Sequence, residues 1–278
     1  MMQHDENLRV RLARDERDLL AAQRLRYRVF VNELKGDGPG IDHAARTESD
    51  AFDSAAEHLL LVDRRREAEG RADHVVGAYR LIRDVRRPGR FYSEAEFDLS
   101  PLKASGRPLL ELGRSCIDAA YRNGLGLWML WNALAGYVAR HRIEILFGVA
   151  SFHGSDPAPF LGPLAYLHHH HLAPEGLRPR AIGAGAITIG SGPGAGTDTG
   201  THTGSDTGTD TGGLPGRRGE AMQRMPGLIK AYLRIGGGIG QGACIDRAFN
   251  TIDVCMVLDT ARISPARRAR FTAAALQT

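Results

Sequence analysis

The run Leu109-Leu110-Glu111-Leu112-Gly113-Arg114-Ser115-Cys116-Ile117 reads as a buried strand, apolar at most positions but carrying two charges. Charges are seldom placed inside an apolar strand unless they are paired or put to use. Side chains alternate faces along a strand, so Glu111 and Arg114, three apart, point opposite ways in regular geometry. For the two to meet in one cleft the strand needs a bulge, and Gly113 between them is the place for one. That combination marks a site rather than a plain core strand.

Working outward, residues 8–12 alternate as a short first strand. A helix follows, capped at Asp15 or Asp18 and running to about residue 34, with Leu19, Leu20, Leu25, Val29 and Phe30 on its apolar side. Residues 41–53 are polar and acidic and read as an ordered loop or lid. Residues 58–63 and 74–82 form a hairpin signal around a long charged connection. Beyond the opening strand, residues 125–140 are amphipathic, with Trp128 and Trp131 read as core, and residues 143–149 make the next buried strand. Helices are expected over 157–171, 228–235 and 265–275, and closing strands over 242–250 and 253–259. Residues 190–216 are Gly, Thr and Asp rich with almost no apolar content, which predicts a disordered insertion. The order predicts one domain, residues 1–278, built on a mixed α/β sheet.

The 278 residues are 42% hydrophobic, enough for a real core, and carry a net charge of +4. Almost all the basic residues are Arg, dispersed, without a helix-turn-helix or stacked-aromatic pattern, so a nucleic-acid partner is not expected. Cys116, Cys244 and Cys255 lie in apolar contexts without a CxxC, which predicts a reduced, cytoplasmic protein. The N-terminus lacks the apolar core of a signal peptide, and no run approaches the length of a membrane span.

Four groups of charged residues interrupt structured segments: Arg26 with Phe30 four residues on, Asp50 with Asp53, Arg80, and Glu111 with Arg114. Taken singly, each has a bland alternative: a solvated helix Arg, a turn cap, a structural ion pair. Taken together, in this order and approximate spacing, the seven positions resemble the acyl-homoserine lactone synthases. A longer resemblance, to the ornithine lipid synthases, covers most of the chain outside the insertion. It is carried by RYRVFVNE (26–33), AEHLLLVD (56–63), VVGAYRLI (75–82), FYSEAEFDLSPL (91–102), LELGRSCI (110–117), LFGVASFHGSDP (146–157), LHHHHLAP (167–174) and the run 227–258.

The resemblance implies a GNAT-like fold: a mixed central sheet flanked by helices. It also implies an enzyme of lipid biosynthesis that transfers a 3-hydroxyacyl group from acyl carrier protein to the α-amine of L-ornithine. A thioester is already activated, so neither metal nor other cofactor is expected. Such an enzyme must orient two substrates, deprotonate an ammonium and stabilise a tetrahedral oxyanion. On this reading Glu111 is the candidate base and Arg114 its positioner or a carboxylate ligand. Arg80 is a second carboxylate ligand, Asp50 and Asp53 receive the δ-amine, and Arg26 and Phe30 shape the lid. In Arg122-Asn123-Gly124-Leu125-Gly126, one residue short of the R-x-x-G-x-G/A loop of many GNAT enzymes, Gly124 and Gly126 precede a helix whose N–H groups suit the phosphate of phosphopantetheine. A plain strand-to-helix turn accounts for the same residues.

The internal run 168–171, four histidines, is read as a polar helix end rather than a metal site, and Cys116 as a buried structural thiol rather than a nucleophile. An amphiphilic product makes peripheral contact with the inner membrane leaflet an expectation, with Arg83, Arg86, Arg87, Arg90, Arg178 and Arg180 facing that leaflet or the carrier protein. Two rival readings remain: a lactone synthase consuming S-adenosylmethionine, and a non-catalytic module that binds carrier protein or lipid.

Overall fold

In the computed structural model residues 6–86, 89–189 and 215–263 are described, with backbone alone for 215–218. Among these residues the main sheet has nine strands, and seven make up its body: β1 (Leu8–Leu12), β2 (Glu57–Asp63), β3 (Val75–Arg83), β4 (Leu109–Ile117), β5 (Ile145–His153), β6 (Ala243–Asp246) and β7 (Thr251–Asp259). Their spatial order is β1-β2-β3-β4-β5-β7-β6, with Ala186–Ile187 added at the β6 edge and Gly238–Ile239 paired to β7. Every pairing is antiparallel except β4 with β5.

Apolar residues on successive positions bury both faces of the central strands. On β2, Leu59 and Leu61 join one large cluster while Leu60 and Val62 join another on the opposite face. The first cluster is covered by α2 (Leu125–Arg140) through Leu130 and Leu134, by α3 (Leu161–His170) through Leu164 and Leu167, and by α5 (Gly227–Arg234) through Ile229 and Tyr232. The second is covered by α1 (Glu16–Arg26), whose Ala21, Ala22 and Leu25 are buried. Asp15 caps α1 by accepting from the Asp18 N–H, one of the two caps expected. Trp131 reaches the interior and donates to the Tyr79 hydroxyl (3.3 Å), whereas Trp128 is exposed, so only one tryptophan of α2 belongs to the core.

Three local departures from regular geometry position the site. The first is in the opening helix. It does not continue as α-helix to residue 34; after Arg26 it widens into a π-helix, Tyr27–Glu33. Wider turns of this kind are rare and recur at functional sites. The widening separates Arg26, fully buried, from Phe30, which therefore do not share the face that α-helical spacing predicts.

The second departure is the bulge. Arg80 opposes Gly113 and Ala78 opposes Cys116, so Tyr79 alone faces Arg114 and Ser115. Arg114 takes φ 50°, a left-handed conformation unusual for a side-chain-bearing residue. The bulge thus falls one residue beyond Gly113.

The third is the parting of β4 and β5. They pair in parallel only through Leu109↔Ile145, Leu110↔Leu146 and Glu111↔Phe147, and then separate. Gly148 comes next; a Cβ there would lie 2.0 Å from the Leu112 carbonyl oxygen, so the close approach at the apex of the split requires glycine.

The insertion expected over 190–216 ends sooner, since α4 spans Pro215–Arg224; residues 190–214 and the helix expected over 265–275 lie outside the described residues.

Candidate active site

A cavity of about 500 Å³ fills the parting of the two strands. Arg114 to Ile117 of β4 form one wall and Val149 to Ser151 of β5 the other. Phe30, Gly124 and the first residues of α5 close one side, and Asp246, Thr251 and Asp253 of the β6–β7 hairpin close the opposite side.

The charged residues singled out in the sequence meet, but in an unexpected arrangement. Arg26, Arg80 and Arg114 alternate with Asp53, Asp50 and Glu48 in a closed ring of six. Arg26 donates to both oxygens of Asp53 (2.8 Å to Oδ1), and Arg80 donates to Asp53 Oδ1 (3.0 Å) and to Asp50 Oδ1 (2.5 Å). Arg114 donates to Asp50 Oδ2 (3.0 Å) and Glu48 Oε1 (3.0 Å), and the ring closes where Glu48 Oε2 lies 2.7 Å from Arg26 Nε. Three positive and three negative charges cancel, and each has two partners. The arginines outweigh burial and hold the carboxyls of Asp50 and Asp53 below their ordinary range.

This overturns three expectations. Asp50 and Asp53 are already neutralised and do not line the cavity, so they are not free to receive an ammonium group. Arg80, 1% exposed and packed between the rings of Phe52 and Tyr92 (5.6 and 5.2 Å), does not reach the cavity to bind a carboxylate. Arg26 is likewise enclosed and does not line the cavity; Phe30 does, against Phe249 (ring centroids 6.4 Å apart). Of the ring, Arg114 alone borders the cavity, its guanidinium 4.5 Å from the Tyr92 ring centre and 5.0 Å from that of Phe249.

Glu111 and Arg114 do not pair. Glu111 is 2% exposed and faces the Tyr92–Ala95 turn. Its Oε2 accepts from the Tyr92 N–H (2.8 Å), and its Oε1 accepts from the Ser93 N–H (2.7 Å) and hydroxyl (2.5 Å). Burial raises its pKa, while the Ser93 and Tyr92 donors favour the anion. It is not among the residues of the cavity wall, and its three hydrogen bonds make it an anchor of the Tyr92–Ala95 turn.

Gly124, at φ 90°, is the N-cap of α2 and borders the cavity. Gly126 does not: it is buried, and a Cβ there would lie 2.9 Å from Leu61 Cδ2, so it serves the packing of α2 on β2. Arg122 is held by Glu33 and by the Ile117 carbonyl (2.8 Å). Burial pushes the Cys116 thiol up to about 12, which keeps it protonated and unsuited to nucleophilic work. His168, His169 and His170 occupy the last turn of α3, and the rings of His170 and His171 lie against Tyr166 (centroids 4.6 and 5.5 Å apart).

Sequence reading missed Glu48, which sits among several acids in a loop with no pattern to single it out. It also missed Asp253. Here a signal existed: Asp253 is a charge inside the apolar run 252–258, the same criterion that selected Glu111.

A family model described as an acetyltransferase (GNAT) domain matches residues 25–132. The chain is 51% identical over 265 residues to an L-ornithine N(alpha)-acyltransferase of Rhodobacter capsulatus, covering 95% of this chain and 94% of the relative. To a protein of the same name from Agrobacterium fabrum it is 36% identical over 261 residues, 92% of this chain and 82% of that one. Among solved structures it is similar to FeeM, an N-acyl amino acid synthase from uncultured soil microbes, with a TM-score of 0.45 and 10% identity over 92% of this chain and 93% of that one.

Proposed function

The chain belongs to the L-ornithine N(alpha)-acyltransferase family, and from that premise we propose that it transfers a 3-hydroxyacyl group from acyl carrier protein to the α-amine of L-ornithine. The observation that carries the reading is the cavity at the parting of β4 and β5, open along two strand backbones and acidic at the β6–β7 end. A thioester-bearing arm fits between parted strands, and an amino acid rich in ammonium groups fits the acidic end.

In the proposed reaction the α-ammonium loses a proton, its nitrogen attacks the thioester carbonyl carbon, the C–S bond breaks, and the carrier-protein thiolate leaves and takes up a proton. The thioester supplies the driving force, so the equation balances without metal or other cofactor. The bulge at Arg114–Ser115 takes one residue out of the ladder with β3 and offers a backbone N–H to the oxyanion. Gly124, at the N-terminal end of α2, receives the phosphate of phosphopantetheine. Phe30 borders the acyl chain. Arg114 keeps the bulge in place through Glu48 and Asp50, and Glu111 is a positioning residue that acts through the turn carrying Tyr92.

For the carrier protein, Arg90 and Arg180 are the exposed candidates. Arg83 and Arg86 share Glu57 (3.2 Å each), Arg178 donates to the Ala173 carbonyl (2.8 Å), and Arg87 lies outside the described residues. No helix among the described residues is long and apolar enough to cross a membrane. The proposed setting is cytoplasmic, with the amphiphilic product handed to the inner leaflet. We also read the chain as one domain with an insertion, which predicts that deleting 190–213 leaves fold and activity largely intact.

Mass spectrometry of the products formed from 3-hydroxyacyl–acyl carrier protein and L-ornithine tests the reading. An amide-linked hydroxyacyl-ornithine is expected. Consumption of S-adenosylmethionine instead, or carrier-protein binding without turnover, would overturn it in favour of a lactone synthase or a binding module.

A further inference from the structure

Asp246 and Asp253 border the acidic end of the cavity and Glu96 lies beside them, so three separate pieces of chain meet there. Glu96 follows the Tyr92–Ala95 turn, Asp246 ends β6, and Asp253 lies in β7 opposite Ser151 of β5. One carboxylate oxygen from each lies within 4.8 Å of the others. Asp246 is turned inward by accepting from the N–H groups of Ala248 (2.8 Å) and Phe249 (3.1 Å).

Among the described residues no arginine, lysine or histidine forms an ion pair with any of the three. The cation that acts on them from nearby, Arg114, gives its hydrogen bonds to Glu48 and Asp50. A second observation points to a ligand. Asp253 is 4% exposed and borders the cavity, where Ser151 and Thr251 favour its anion, yet its Oδ1 and the buried Glu96 Oε2 have no hydrogen-bond partner among the described residues. A buried acceptor left unpaired costs about 1–3 kcal/mol, so the arrangement is expected to be completed by a donor from outside the chain. Burial and mutual repulsion raise the pKa values of Glu96 and Asp253 together, as expected of carboxylates that share a proton until a cation arrives.

We propose that Glu96, Asp246 and Asp253 form the seat of the side-chain ammonium of the amino-acid acceptor, and thereby select a diamino acid over a neutral one; this rests on the acylation reading above. An alkylammonium presents three N–H donors to three converging carboxylates. Its charge replaces the shared proton, and a methyl group in the same place would leave the acids buried and unanswered.

Calorimetric binding and steady-state kinetics with L-ornithine and with L-norvaline, which has the same chain length but lacks the δ-amine, test this. The wild type, Asp253→Asn, Glu96→Gln and Asp246→Asn are compared. The wild type is expected to bind ornithine on the order of a hundredfold more tightly than norvaline. Each variant should lose roughly tenfold to a hundredfold for ornithine, mostly in KM, and stay within about threefold of wild type for norvaline. Norvaline turnover reports that a variant is folded, and the three substitutions at separate chain positions keep the test decisive if one misfolds.

Equal loss on both acceptors, or a wild type that does not discriminate in binding, overturns the proposal. So does loss of ornithine turnover in EDTA with recovery on adding Mg²⁺, Ca²⁺ or Mn²⁺, which would make the trio a metal site. A wild type that binds ornithine selectively yet forms no amide overturns the acylation reading and leaves this one standing.

Discussion

Two groups of buried acids sit on either side of Arg114, and they are opposites. Glu48, Asp50 and Asp53 each have two arginine partners in a closed ring. Glu96, Asp246 and Asp253 have no such partner among the described residues, and two of them, Asp246 and Asp253, face a cavity. Both groups were drawn from water at considerable cost. The first matches each charge within the chain, although Glu48 Oε2, Arg80 Nε and Arg80 Nη2 make no hydrogen bond, which makes it architecture: it ties the opening helix, the 41–53 loop, β3 and β4 into one body. The second does not, which makes it a place for a ligand. The number of acids is the same; what differs is whether the fold supplies the counter-charge.

The largest expected effect comes from opening the ring. Arg26→Met leaves Glu48 and Asp53 buried with one partner fewer each and is expected to cost about 3–5 kcal/mol, measured by urea unfolding. A loss below about 1 kcal/mol would mean that the ring contributes nothing beyond a surface pair. Next, Glu111→Gln puts an amide among three donors and is expected to lower stability by about 1–3 kcal/mol. The kcat against pH of that variant should keep the wild-type shape; a lost acid limb would restore Glu111 to the role of base.

On the other side of the comparison the sign reverses. Asp253→Asn removes a charge that the fold does not compensate and is expected to stabilise the ligand-free protein by about 1 kcal/mol at pH 8, read as a rise in melting temperature, while weakening ornithine binding. A functional site that costs stability is the general expectation; a fall in melting temperature would move Asp253 into the architectural group.

The smallest effect is the pH profile of stability itself. Asp50 and Asp53 have folded pKa values below their unfolded ones. Their contribution is full above the unfolded value of about 3.9 and is lost as pH falls through the folded values. Glu96 and Asp253 have folded pKa values above their unfolded ones, so stability is full below about pH 4 on their account and declines as pH rises through the raised values. Saturating ornithine should flatten the decline on the alkaline side and leave the acid limb unchanged; equal action on both limbs would show that the two groups are coupled.

Much of the architecture was legible in the residues. The apolar runs placed β2, β3, β4, β5 and β7 and the amphipathic spacing placed α2, because burial of a face depends on periodicity that sequence displays directly. The seven motif positions, six of them charged, were also legible as a group, and five of them do converge: Arg26, Asp50, Asp53, Arg80 and Arg114. Their roles were not. Helical spacing put Arg26 and Phe30 on one face, and the π-helix parted them; strand alternation required a bulge, and it fell on Arg114 instead of Gly113. Each shift is one residue, and one residue turns a side chain from one face to the other.

By itself the sequence determined the strand with its two charges, the α/β order and the set of acids and arginines available, since these depend on composition and period alone. Only the tertiary structure decided which acids meet which arginines. That pairing joins residues 22 to 66 positions apart across a helix, a loop and two strands, and long-range electrostatics follows distance in space. The same assembly sealed Glu111 behind a turn, closed Glu48 into the ring, and left Asp246 and Asp253 at the cavity, with Glu96 beside them, without an ion-pair partner among the described residues.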